Sequence, residues 1–172
     1  MMCRALELNA VGHSVNSILA LFLMFSGELD EALHIALDLA KRFPTIDSAQ
    51  ANACILSSVH RHHDDAISFG MRARELSPAT PIMHAPLAYA LAFAGRHDEA
   101  RCVLRAVEDS RLPEPTASTA PVYLALGERD KAIEKLLDAA ERGIPQFAWT
   151  KDDPRLAALK GDPLVKRVWS RV

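Results

Sequence analysis

Apolar residues recur along this chain at helical spacing, and short polar turns interrupt them at a regular interval. Ile18, Leu19, Phe22 and Phe25 recur in this way, as do Leu87, Leu91 and Ala94. Positions three and four apart share one face of an α-helix, so each set predicts an apolar stripe. Each stripe runs into a similar polar segment. These read Gly-Glu-Leu-Asp-Glu-Ala at 27–32, His-Arg-His-His-Asp-Asp-Ala at 60–66, Gly-Arg-His-Asp-Glu-Ala at 95–100 and Gly-Glu-Arg-Asp-Lys-Ala at 127–132. Their closing alanines, Ala32, Ala66, Ala100 and Ala132, stand 34, 34 and 32 residues apart. A fixed period of this length marks an array of repeats rather than one irregular globule.

Within each repeat the pattern predicts two helices and a tight turn. Gly27, Gly95 and Gly127 fall where the first helix must stop, since a C-terminal cap often requires positive φ. The acidic residues that follow belong to the first turn of the second helix, where they favour the positive end of its dipole. Second helices are expected over 30–42, 64–76, 98–110 and 130–142. Pro44, Pro78, Pro113 and Pro145 close them, because the residue before a proline resists α geometry. The expected fold is therefore all-α, built of helical hairpins.

On these residues the chain resembles the tetratricopeptide-repeat family. The family pattern has a small alanine early in the second helix, a bulky residue four later, a small residue three after that, and a closing proline. The corresponding residues are Ala32, Ala36, Leu39 and Pro44 in the first repeat, and Ala66, Gly70, Ala73 and Pro78 in the second. In the third they are Ala100, Leu104, Val107 and Pro113, and in the fourth Ala132, Leu136, Ala139 and Pro145. The bulky position is small in the first two repeats, and Tyr123 is the nearest survivor of the family's first-helix aromatics. The resemblance implies a right-handed superhelix with repeats at 13–46, 47–80, 81–113 and 114–146.

Both ends carry further expectations. Residues 4–9, Arg-Ala-Leu-Glu-Leu-Asn, resemble a repeat ending, so residues 1–12 are expected to form a half-repeat. The helix expected at 14–26 is among the most apolar in the chain, whereas terminal repeats usually present a polar face. Two readings stay open: this edge pairs with something, a longer chain or a second copy, or residues 1–10 suffice to cap it. Residues 147–172 resemble the closing segment that follows repeats in bacterial multidomain signalling proteins. Asp153-Pro154 and Asp162-Pro163 are expected to start short helices, aspartate as cap and proline in the first turn. Trp149, Leu156, Leu159, Leu164, Val168 and Trp169 are expected to cover the last repeat.

Composition narrows the function. With 20 basic and 22 acidic side chains the formal net charge is −2, which does not suit a nucleic-acid binder. The longest apolar run, residues 18–25, is far shorter than the ~20 residues of a membrane span, and the start lacks a signal peptide's basic head and apolar middle. Cys3, Cys54 and Cys102 form neither a disulfide framework nor a Cys-x-x-Cys knuckle, and are read as reduced thiols in small helical sites of a cytoplasmic protein. His60, His62, His63 and His97, with Asp64 or Asp98, could approach one another across stacked turns and hold zinc; a solvated turn is the preferred reading. No nucleophile elbow and no glycine-rich phosphate loop occurs, so neither an enzyme nor a cofactor is expected.

What remains is the inner surface. The repeat register places Ser17, Leu21, Met24, Asn52, Ile55, Val59, Tyr89 and Phe93 on a concave groove, mostly apolar with an amide and a phenol. Such a groove suits an amphipathic helix or an extended peptide. The expected function is a protein-interaction scaffold, an adaptor or the regulatory module of a larger signalling protein. The alternative is an assembly module that homodimerises through its apolar N-terminal edge. The lysine–asparagine–arginine clamp that some relatives close on chaperone tails is not expected, because Ser17, Leu21, Ile82 and Pro86 stand in its places and only Asn52 matches. Pro86 is also expected to delay or kink its helix.

Overall fold

The computed structural model describes residues 2–109 and 115–170. Among them every element is helical. The chain forms α1 (Met2–Ser26), α2 (Leu29–Arg42), α3 (Asp47–Val59), α4 (His63–Leu76), α5 (Ala85–Phe93), α6 (His97–Glu108), α7 (Pro115–Ala125), α8 (Arg129–Glu141) and α9 (Pro163–Trp169). Three 3-10 turns at Pro81–His84, Pro145–Lys151 and Pro154–Leu159 complete it. None of these helices is long and apolar enough to cross a membrane. Sequential helices pack as antiparallel pairs, α1 with α2, α3 with α4, α5 with α6 and α7 with α8. The first helices also touch along the array, α1 with α3, α3 with α5 and α5 with α7.

The four turn segments act as the spacing predicts. Gly27, Gly95 and Gly127 adopt φ of +90°, +79° and +77°. Each places the next amide on a carbonyl five residues back: Glu28 N–H to Leu23, Arg96 N–H to Leu91 and Glu128 N–H to Tyr123, all at 2.9 Å. The second turn makes the same bond, His62 N–H to Ser57, with Arg61 at φ +62° in the glycine's place. The four early alanines are fully buried. A methyl is all that fits where two helices cross closely, so these positions set the hairpin angle.

Second helices end close to expectation; Ser110 and Pro113 lie outside the described residues. Side chains fasten the joints between hairpins. Gln50 Nε2 donates to the Ala40 carbonyl at the end of α2 (3.0 Å), Ser77 donates its hydroxyl to Asp47, and a ring nitrogen of His84 meets the Ser77 carbonyl at 3.0 Å. Pro86 has the predicted effect: a 3-10 turn precedes a short α5.

Three features differ from expectation. α1 runs unbroken through the segment read as a separate half-repeat; the side chains of residues 2–11 lie outside the description. The only breaker there is Gly12, and one glycine costs a helix about 1 kcal/mol, too little to end it. Cys102 is exposed while Cys54 is buried, so only the latter fills a small helical site; the Cys3 side chain lies outside the described residues. In the closing segment Leu156, Leu159 and Trp169 are buried and Val168 packs against the same core, but Trp149 and Leu164 stay more than half exposed. The Trp149 ring lies against Phe25 of α1, ring centres 5.9 Å apart, at the far end of the array from the last repeat's own core.

Candidate functional site

The aspartate–proline pairs shape the closing segment. The Asp153 carboxylate accepts from the Arg155 backbone N–H (2.9 Å), and that of Asp162 from the N–H groups of Leu164 and Val165 (3.0 and 3.4 Å). Arg129 of α8 fixes the segment's far side by donating to the Ala158 carbonyl and to Asp162 (3.0 and 3.1 Å). Trp169 donates its indole N–H to Thr150 at 2.9 Å. So held, the segment runs from α8 back to Phe25, then returns past α5 to α7, along the face made by the first helices.

That course decides the fate of the expected groove residues. Ser17, Met24, Asn52 and Tyr89 are buried, while Leu21, Ile55, Val59 and Phe93 are half-buried. Asn52 donates its amide to the Ser17 carbonyl at 3.2 Å, tying α3 to α1. Met24 packs with Ala20, Ala32, Ala36 and Leu56 in the core of the first hairpin. Leu21 lines a small cleft between α1 and Trp149. The eight residues are therefore not one surface. Three of them, Val59, Tyr89 and Phe93, do come together in an open cleft of about 350 Å³, walled on the other side by Leu124 and by the turn that carries Arg155.

The floor of this cleft is aromatic. Tyr89 and Phe93, one helical turn apart on α5, stack with centres 5.6 Å apart and planes at 12°. A guanidinium stands over each ring: Arg61 at 5.6 Å from the centre of Phe93, and Arg155 at 5.4 Å from that of Tyr89. His63 also meets Phe93, at 5.6 Å. Among the described residues no carboxylate lines the cleft. Cations over ring faces are attracted by the ring quadrupole, more strongly as water is removed.

The two arginines differ. Arg155 is largely buried and grips Asp153 as a fork, Nε to both carboxylate oxygens and Nη2 to Oδ2 at 2.7 Å. Burial alone would lower its pKa; the adjacent Asp153 more than offsets this and holds it above the ordinary arginine value. Arg61 is exposed, and among the described residues no carboxylate pairs with it. Its guanidinium is the uncompensated charge of the cleft.

Nearby chemistry is quiet. Burial pushes the Cys54 thiol up to about 12, against a weaker opposing pull from Arg155. A thiol so placed is a poor nucleophile at neutral pH. Of the four histidines, His60 meets the Leu29 carbonyl at 3.0 Å and has the His62 ring 6.0 Å from its own, while His63 faces Phe93. Among the described residues no group of three or more His, Cys, Asp or Glu is arranged around a common point.

Two participants escaped the sequence reading. Arg61 sits at a turn position where the other three repeats place glycine, and that departure was a usable signal. Arg155 was read only as part of a cap, and nothing local in Asp-Pro-Arg-Leu announces a contact with α5. The chain matches no protein-family model, no curated protein and no solved structure.

Proposed function

We propose that this chain is a protein-interaction module, a right-handed superhelix of tetratricopeptide-like hairpins that holds an acidic peptide segment in the cleft between Arg61 and Arg155. Contacts between successive first helices and the recurring turn geometry support the superhelix. The observation that carries the binding reading is the stacked Tyr89–Phe93 pair with an arginine over each ring and, among the described residues, no carboxylate in the lining. Aromatic faces supply apolar contact, and the free guanidinium of Arg61 selects a carboxylate through charge-assisted hydrogen bonds. The cleft is at the small end of ligand sites, enough for one or two side chains of an extended peptide. Such a module serves as an adaptor, or as the sensing part of a larger regulator; no step of covalent chemistry is assigned to it.

Arg61 itself provides the test. A non-glycine residue at positive φ is strained by roughly 1–2 kcal/mol. Arg61→Gly should therefore raise the unfolding free energy by about 1 kcal/mol while removing the cation. On an array of short peptides, the wild-type chain should retain sequences enriched in Asp and Glu, and Arg61→Gly should lower that retention at least about tenfold. Retention that is indifferent to peptide charge, or unchanged in the variant, overturns the assignment.

A further inference from the structure

Most of the large apolar side chains left exposed among the described residues lie elsewhere. On α1, Val15, Ile18, Leu19 and Phe22 are 59%, 62%, 39% and 65% exposed. Their spacing makes them one continuous stripe along the helix. Trp149, 52% exposed, extends the stripe sideways from the closing segment. Of the large apolar side chains that the described chain leaves exposed, Leu37, Met71 and Leu164 stand outside this group. Between the two parts lies a cleft of about 220 Å³ whose apolar lining includes Ile18, Leu21, Phe22, Phe25 and Trp149, with the exposed Asp152 as its charged member.

We infer that this face is where a second copy of the chain docks. Aromatic side chains bury roughly 150–250 Å² each, so at these exposures the five residues offer on the order of 500 Å² of apolar surface. A stable dimer covers about 800 Å² per copy, and its fully buried centre is its most apolar part. The patch thus has the size of such a centre, and the exposed Asn16 and Ser26 beside it supply polar rim.

Charge points to the same occupant. Residues 8–27 contain no Asp, Glu, Lys or Arg, in a chain that is 24% charged. The α1 stripe meets its own copy without like-charge repulsion, and the one acid that lines the cleft, Asp152, is exposed to solvent. It also lacks the Lys and Arg with which interfacial helices hold anionic lipid headgroups. Shape agrees: Phe22 and Trp149 protrude beside the cleft they help to line. A two-fold axis through the patch brings each copy's protruding ring to the other's cleft, so one surface supplies both halves of the contact.

This inference is independent of the acidic-peptide reading, because Arg61 and Arg155 lie on α5's side of the molecule and not on the exposed face of α1. The test is sedimentation velocity on the full chain, from about 1 to about 200 μM. The expected result is a concentration-dependent species of twice the 18.9 kDa chain mass. Ile18→Glu should raise the dissociation constant at least about thirtyfold, and Phe22→Ala should weaken it in the same direction. Met71→Glu, at an isolated exposed residue on α4, should leave it unchanged. Ile18 is exposed, so an unaltered circular dichroism spectrum is expected for its variant. A wild-type chain that stays at 18.9 kDa throughout overturns the inference, as does a dimer indifferent to both α1 substitutions.

Discussion

A methyl group added at Gly70 would lie 3.0 Å from the Cys54 sulfur and 3.0 Å from both Cα and Cβ of Leu87. Two of those atoms belong to the next hairpin, one of them backbone, so they cannot all yield. Alanine is the better helix former, yet here overpacking outweighs propensity. Gly70→Ala should lose about 1–2 kcal/mol in denaturant unfolding, and Gly70→Val more. A gain in stability would mean that α4 and α5 have room to part. The sequence shows only a glycine where the family pattern has bulk. It hides the reason, which is that Leu87 of the following repeat reaches into the space. The early alanines are the opposite case. Their role depends on a contact within one hairpin, and their even spacing exposes it.

At the scale of elements, both bounds of the second helices were legible, every start falling within one residue of expectation and every end within two. Positive-φ turns and prolines are local chemistry, and they stop α2, α4 and α8 close to where expected. α1 was misjudged because similarity to a repeat ending suggested a break that no proline enforces. The closing segment was half legible. Its two aspartate caps follow from Asp-Pro, but the direction in which the capped turns project is set by tertiary contact. The Asp153–Arg155 pair is the element on which that projection turns. Removing one partner of a buried ion pair leaves an uncompensated charge and costs about 3–5 kcal/mol. Asp153→Ala should fall in that range. Adding Arg155→Met should restore most of it, leaving about 1 kcal/mol for the lost cap. A double-mutant cycle measures the coupling; independent, additive losses would show that the pair contributes nothing jointly.

For the whole molecule, the repeat period foretold that hairpins follow one another, and neighbouring pairs pack as it implies. It could not foretell that residue 149 touches residue 25, because a repeat encodes contacts with its neighbours alone. The expected groove was overdrawn for the same reason: part of the surface left open by the repeats is taken by the chain's own closing segment. That contact has a consequence for how the molecule comes apart. An open array unravels from its ends, one unit at a time, and its early folding needs only local pairings. Here the clasp of Phe25 with Trp149 joins the first hairpin to the last segment, so opening either end at this point also costs the other a contact. The clasp spans most of the chain and should form after the folding barrier. Phe25→Ala, followed by stopped-flow kinetics at low protein concentration, should speed unfolding several-fold and leave the folding limb in place. With the clasp intact the hairpins should melt in one cooperative step; without it, probes at the two ends should report separate transitions.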